Sequence, residues 1–414
     1  MDTQAETGAE TGADTGADTG ADTEVIKESQ RARRRRTRRP WVRRVRRSVL
    51  ALVLVFLILV GWSIGGALTA PGTDSVAARL AEWGRDHGLG GLVTWLEKQQ
   101  YDHNQPAVGG TPAGGIPQAA GAVPDAPAPG NHPGRDGLPA PAPMPSLTGT
   151  PLLPGEGQWQ TVATVHGHAA VRVTTLRPDE THTSFVAGVM WIDPTFVRGL
   201  LQPGTTDPGG TWQAATSITP ALQRSVVAAF NAGFRLNGDS HGGYYSEGRT
   251  ARPLVDGAAS LVLRADGTAT VGSWNQEVRM GPEVASVRQN LVELVDNGQV
   301  NPTCATGGTA QWGSTIGQAA YIHRSAFGVT ADGAEVYVGG PALSVCTLGR
   351  ILQAAGVVRG MELDINPAWV SGTYFHDRPT GPPQGFKLFP AEEVSPQHYF
   401  SPSSRDWFGW YARD

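Results

Sequence analysis

Three hydrophobic patterns follow one another along the chain. Residues 49–68 are apolar and carry no charge, a run long enough to cross a hydrocarbon layer as one helix. Next, Val76, Leu80 and Trp83, then Leu89, Val93 and Leu96, recur at helical spacing, with Gly88 and Gly90-Gly91 breaking the pattern between them. This predicts two short amphipathic helices within 71–104. Beyond residue 150 the period shortens. β-branched runs at 161–165, 170–176, 185–193, 226–230, 260–263, 268–271 and 334–338 predict strands. Asp266-Gly267 and Asp332-Gly333 supply the dipeptide that favours tight antiparallel hairpins. One helix follows, with Val345, Leu348, Ile351, Leu352 and Ala355 on one face, Ser344 placed to cap its start and Gly356 its end. Strands in excess with helices inserted late predict an α+β fold, mainly antiparallel sheet with a few packed helices. That fold is a single globular ectodomain, 151–414, behind a transmembrane anchor, 48–70.

Two stretches lack any periodic pattern. The first residues repeat a four-residue unit, Glu6-Thr7-Gly8-Ala9 and then Asp14-Thr15-Gly16-Ala17. With one acid per unit and nothing to bury, 1–30 is expected to be disordered. Residues 105–150 read as a linker: between Pro106 and Pro145 there are eleven prolines and eight glycines. In polyproline geometry such a segment reaches at most about 120 Å at roughly 3.1 Å per residue.

Charge fixes the orientation. Eleven arginines lie between Arg31 and Arg47, and a basic flank, here 31–47, stays on the cytoplasmic side. The expectation is therefore a single-pass plasma-membrane protein, with its N-terminus cytoplasmic, its bilayer contact through 49–68 and its C-terminal domain extracytoplasmic. The arginines have this explanation in topology, so nucleic acid is not an expected partner. Cleavage as a signal peptide fits poorly, because Leu68 is bulky where a small residue is needed before a cut at Ala70. The residues after 47 hold 21 Lys and Arg against 29 Asp and Glu. An acidic exterior attracts no anion from a distance, so any phosphate must be met by particular arginines. Cys304 and Cys346 are the only cysteines. On an oxidising side of the membrane they can form a disulfide, and buried free thiols are the alternative.

Candidate chemistry gathers in three segments. Asn231-Ala232-Gly233-Phe234 ends an apolar run and opens into a Gly-rich loop, offering backbone N–H groups and an amide to a phosphate or a sugar hydroxyl. Taken alone, it reads more readily as a surface hairpin whose glycines take positive φ. Arg324 lies in an apolar strand pattern, Arg324-Ser325-Ala326-Phe327-Gly328-Val329, where it needs a carboxylate, an anionic ligand or solvent. In Met361-Glu362-Leu363-Asp364-Ile365-Asn366-Pro367, period two would put Glu362, Asp364 and Asn366 on one face. Two neighbouring carboxylates there allow one to hold a raised pKa while the other stays ionised. His166-Gly167-His168 offers two imidazoles without a third ligand, so no metal is expected. There is no P-loop and no nucleophile elbow, and no cofactor is expected.

The order of these segments resembles the phosphodiester glycosidase domain family over roughly 226–373. Members typically carry Asn-Gly-Gly-Phe-Phe at the first segment, Arg-Thr-Ala at the second and a Gly-rich, Ser-containing run after Leu-Asp at the third. Here Ile365-Asn366-Pro367 replaces that run, and Glu362 stands where Asn is usual. The resemblance implies an actinobacterial, membrane-anchored hydrolase that cleaves a sugar-phosphodiester linkage in a phosphate-linked envelope glycan. By the resemblance Asn231, Gly233, Arg324 and Asp364 match positions that line the family's pocket; with Glu362 as second carboxylate and Asn366 on the same predicted face, Asp364, Glu362 and Arg324 are expected to be catalytic and Asn231, Gly233, Arg324 and Asn366 to bind substrate. The departure at the third segment keeps open a glycan- or protein-binding envelope protein that retains the fold without turnover.

Overall fold

The computed structural model describes residues 20–70, 72, 74–123, 137–236, 238–315, 318–378 and 380–414, with side chains within 20–40 described only at Glu28. The acidic repeat therefore lies outside the described residues as far as residue 19. From Gly20 the chain is helical, which corrects the expected disorder over 20–30.

Helix α1, Gly20–Leu68, forms most of one unit, 1–67. Within it, Trp41–Leu68 is 28 residues long and apolar enough to cross a membrane, with none of its most apolar window buried. At 1.5 Å per residue this stretch reaches about 40 Å, more than the roughly 30 Å of a hydrocarbon core.

The second unit, 68–414, opens with the two expected amphipathic helices, α2 (Val76–Asp86) and α3 (Gly90–His103). Ser75 caps α2 through its hydroxyl, which accepts from the Ala78 N–H at 3.1 Å. The segment expected to be an extended linker instead lies along the domain wherever it is described. Ile116 and Met144 are buried, Val123 bridges Thr161, and the Met144 N–H donates to the Gly157 carbonyl at 2.9 Å. Prolines and glycines mask such isolated apolar anchors, because no period connects them.

Three antiparallel sheets build the remainder. The largest has eight strands, ordered Gln160–Val165, His168–Leu176, Ala187–Ile192, Glu335–Leu343, Ile322–Thr330, Val357–Glu362, Glu293–Asp296 and Gln299–Val300. A five-stranded sheet runs Arg249–Arg252, Tyr244–Ser246, Val284–Gln289, Ala259–Arg264, Ala269–Ser273. The other five-stranded sheet runs Gln384–Lys387, Gly372–His376, Val226–Asn231, Trp407–Ala412, Val197–Gln202. Both Asp-Gly turns close hairpins, with Gly267 at φ 81° and Gly333 at φ 92°. Phe230, Phe327, Tyr337, Phe408 and Trp410 from these sheets share the main core, where Phe230 and Trp410 stack at 4.3 Å.

After the short helix α4, Thr309–Trp312, the predicted amphipathic helix appears as α5, Val345–Ala354. Ser344 caps it, accepting from the Thr347 N–H at 3.0 Å. Leu348, Ile351 and Leu352 are fully buried with Ala326, Val336 and Val338 of the large sheet. Each contributes about 1.5–3 kcal/mol by burial, so Leu348→Ala alone would cost about 2–5 kcal/mol. A Cys304–Cys346 disulfide ties the start of α5 to the segment before α4, with Cα atoms 5.0 Å apart.

Candidate functional site

Chain order alone does not join the three candidate segments; hydrogen bonds do. The Ser325 N–H and hydroxyl both donate to the Asp364 carbonyl, at 3.1 and 2.8 Å, and the Asp364 N–H donates to the Ala232 carbonyl at 3.2 Å. The strand ends at Asn231 and Glu362 are thereby held together, and a cavity of about 290 Å³ opens beside them. Asn231, Gly233 and Asp364 line it, together with Trp369, Ser371, His398, Arg405 and Trp407.

Asn231 acts as a joint in this wall. Its Nδ2 donates to the Ala232 carbonyl at 2.8 Å and to the Ser325 hydroxyl at 2.9 Å. Its Oδ1 accepts from the Tyr337 hydroxyl at 2.8 Å and the Ser371 N–H at 3.1 Å. An amide has two donors and two main acceptor positions, so none remains for a ligand. Gly233 is required sterically: a Cβ there would lie 2.8 Å from Asn290, whose Oδ1 accepts the Phe234 N–H at 3.0 Å.

Of the acidic residues that line the cleft, Asp74, Asp364, Glu393 and Asp406, Asp364 is the one the candidate segments supply. Its Oδ1 accepts from the Asn366 N–H at 2.9 Å and its Oδ2 from Arg405 Nη2 at 3.1 Å. Burial pushes its pKa above the ordinary 3.8, opposed by Arg405 and by the N–H groups of Asn366 and Ile365. Asn366 does not line the cavity; it shapes the turn, its Oδ1 accepting from the Ala368 N–H at 2.9 Å.

The structure places Arg324 and Glu362 elsewhere. Neither lines the cavity, and they pair with each other in the interior at 2.5 Å, while Arg324 Nε donates to the Leu343 carbonyl at 3.0 Å. Burial raises the Glu362 pKa, and Arg324 opposes the shift. The strand pattern stops at Glu362, so period two does not carry Glu362 and Asp364 to one side. Glu362 turns inward to Arg324, whereas Asp364 reaches the cavity.

Arg405, which no sequence motif marks, brings the guanidinium to the cleft. Trp407 pairs with Asn231, and the Ala232 N–H donates to the Asp406 carbonyl at 3.3 Å, so Arg405 falls beside Gly233. Arg405 Nη2 also donates to the Gly233 carbonyl at 3.3 Å, and its guanidinium lies 5.2 Å from the Trp369 ring centre. Although Arg405 is buried, its Nε has no hydrogen-bond acceptor, and Asp207 Oδ2 is 3.8 Å away. A donor buried in this way is costly unless something accepts from it. Beneath it, Arg288 and Asp406, both fully buried side chains, pair at 2.6 Å and brace the loop through the Phe234 carbonyl, 2.5 Å from Arg288 Nη2. The signal available in the sequence was a charged pair, Arg405-Asp406, immediately before the apolar run 407–412.

Among the described residues, one group could hold a metal ion: Glu277, Glu293 and Asp296, with ligand atoms within 4.8 Å of one another. Arg359 already pairs with Glu277, and with Asp296 at 2.6 Å and Glu293 at 3.6 Å, which makes this an ion-pair network. His166 sits at φ 53° in a turn and His168 stacks on Phe196 at 4.7 Å, so the two imidazoles form no metal site with other described residues.

No family model and no curated protein matches the chain. Among solved structures, the chain is distantly similar to the catalytic domain of zebrafish N-acetylglucosamine-1-phosphodiester alpha-N-acetylglucosaminidase, auto-inhibited by its pro-peptide. That match has 15% identity and a TM-score of 0.41 over 62% of this chain and 88% of the other. It is also similar to a hypothetical protein from Synechocystis (13%, TM-score 0.35, over 60% of this chain and 63% of that one). A putative exported protein from Burkholderia pseudomallei matches at 12% identity and TM-score 0.34, over 57% of this chain and 76% of that one.

Proposed function

We propose that the cleft hydrolyses a sugar-phosphodiester linkage in a phosphate-linked glycan, and that the helix within α1 anchors the domain at the outer face of the plasma membrane. The observation that carries this reading is the Arg405 guanidinium on the cavity wall beside the Asp364 carboxylate. A phosphate oxygen in the cavity would accept from that guanidinium, and a charge-assisted hydrogen bond of this type is among the strong kinds. Trp369, half-buried on the cavity wall, gives a sugar ring an apolar face to lie against.

In the reaction, water attacks the anomeric carbon, the bond from that carbon to the phosphate oxygen breaks, and a free sugar and a phosphomonoester leave. Asp364, its pKa raised by burial, takes the proton from water or stabilises the oxocarbenium character of the transition state. The departing phosphate is a good leaving group, with a second pKa of roughly 6, so neutralising its charge matters more than protonating it. Arg405 does this, in the role the sequence assigned to Arg324. Asn231 holds the wall, and Arg324 and Glu362 support the floor without touching substrate.

The test is release of chromophore from a chromogenic sugar-1-phosphodiester by the full chain, compared with Asp364→Asn and Arg405→Gln. The expected loss is about 10²-fold or more for each, the scale of a missing charge-stabilising or proton-transfer group. Equal and negligible release by all three would leave a glycan- or protein-binding module.

A further inference from the structure

The helices that precede the domain do not stand apart from the cleft. Asp74 and the α2 cap Ser75 belong to the same cavity wall as Asp364 and Arg405. Two turns further along, Glu82 Oε2 pairs with Arg235 Nη1 at 2.7 Å, and Asp86 Oδ1, one turn beyond, pairs with the same nitrogen at 3.3 Å. Glu82 is near enough to Asp364 to oppose its ionisation. Arg235 itself lies two residues past Gly233, on the loop that forms the cavity wall. Four carbonyls around the entry to α2, those of Leu68, Ala70, Gly72 and Asp74, accept from the Arg79 guanidinium at 2.5–3.0 Å, which fixes the path of the chain into the cleft.

The hairpin is held to the domain by polar contacts. Gly84 is the sole buried residue of α2, packed against Val93 and Leu89 of its own hairpin, and α3 buries none. Apart from the Arg235 pairs, a hydrogen bond from the Tyr101 hydroxyl to the Tyr321 carbonyl at 3.3 Å ties α3 down. The side chains of Glu82 and Asp86 are 25% and 52% exposed, so their attraction to Arg235 is weakened by solvent and salt. A segment with a single fully buried residue and a part-exposed ionic clasp belongs to the low-stability end of a structure, where local opening is easy.

We propose that the α2–α3 hairpin is a latch over the cleft, closed by Arg235 against Glu82 and Asp86, and that it must lift for a phosphate-linked glycan to enter. The closed latch withdraws Asp364 and Arg405 from large substrates, while rupture of two weak ion pairs is enough to expose them. The binding loop and the clasp are one stretch of chain, so a ligand drawn to Gly233 and Arg405 pulls on Arg235 as well. The substrate part of this inference rests on the hydrolase reading; the latch itself does not.

The experiment uses the full chain with Ala368→Cys, a cavity-wall position, since both native cysteines are joined in the disulfide. The probe is a soluble maleimide, and the rate of labelling is read with and without Arg235→Ala, at low and high salt. Loss of two part-exposed ion pairs should speed labelling roughly tenfold. High salt should speed it in the chain that keeps Arg235 and add little once Arg235 is gone. A thiol at exposed Met280, introduced as Met280→Cys, should react at one rate throughout. Equal rates at position 368 with and without Arg235, and no effect of salt, would overturn the latch, and the salt series needs no clasp variant to fold. Faster labelling without sugar-phosphodiester hydrolysis in any variant would keep the latch and remove the hydrolase. Hydrolysis with unchanged labelling would do the reverse.

Discussion

Exchanging the two arginines one at a time separates support from function. Arg324→Met leaves Glu362 fully buried with no countercharge and with Oε2 already lacking a partner. Removing one member of a buried pair costs about 3–5 kcal/mol, because the remaining charge must stay desolvated or take up a proton. At roughly 2–3 °C per kcal/mol for a domain of this size, Tm should fall by about 6–15 °C. Arg405→Met removes the partner of a different carboxylate, but Asp364 keeps its bond from the Asn366 N–H and borders an open cavity. Its loss in stability should be about 1–2 kcal/mol, nearer that of a single charged hydrogen bond. Adding Glu362→Leu to Arg324→Met should restore most of the lost Tm, since an apolar pair of similar volume is often neutral or better than a buried ion pair. The assay is thermal unfolding of the three variants beside binding of inorganic phosphate by calorimetry. Binding should survive Arg324→Met below its Tm and vanish in Arg405→Met. If Arg324→Met abolished binding at unchanged Tm, or Arg405→Met unfolded the protein and left binding intact, the assignment of roles would be refuted.

Three further outcomes follow from particular groups. Burial pushes the Glu335 pKa from 4.5 up to about 7, so only the unfolded chain ionises between those values. Its contribution to stability is therefore complete below pH 4.5 and is lost as pH rises towards 7, about 3 kcal/mol in all; Glu335→Gln should flatten that part of the pH dependence in denaturant titrations. The Cys304–Cys346 link closes 42 residues of sequence separation, and its removal by Cys304→Ser with Cys346→Ser should cost about 2–4 kcal/mol in the same measurement. Burial raises the Asp364 pKa and Arg405 opposes the rise, so the acid limb of kcat/KM should lie above that of a free aspartate. In Arg405→Gln whatever activity remains should show that limb shifted to still higher pH.

Much of the fold was readable because apolar, β-branched runs and a helical apolar face mark elements even where burial is complete. The run predicted at 226–230 and the α5 face, with its Ser344 cap, appear nearly at their predicted bounds. The strand Trp407–Ala412 was hidden because its run holds no β-branched residue and is interrupted by Gly409. The strand Arg249–Arg252 was hidden because it is an edge strand whose side chains are mostly exposed. At the site, the rule that a buried arginine needs a partner was sound, but it could not say that Arg324's partner was the neighbouring candidate Glu362. Arg405 belongs to a loop far along the chain, and only strand pairing between Trp407 and Asn231 brings it beside Gly233. Sequence spacing carries no information of that kind.

The most direct test of the hydrolase is to run the reaction in ¹⁸O-labelled water with a sugar-1-phosphodiester and to locate the label by mass spectrometry. Attack at the anomeric carbon beside Asp364 and Arg405 predicts ¹⁸O on the sugar and none on the phosphomonoester, with the signal lost in Asp364→Asn. Label on phosphate, or label on sugar that persists undiminished in Asp364→Asn, would contradict the account.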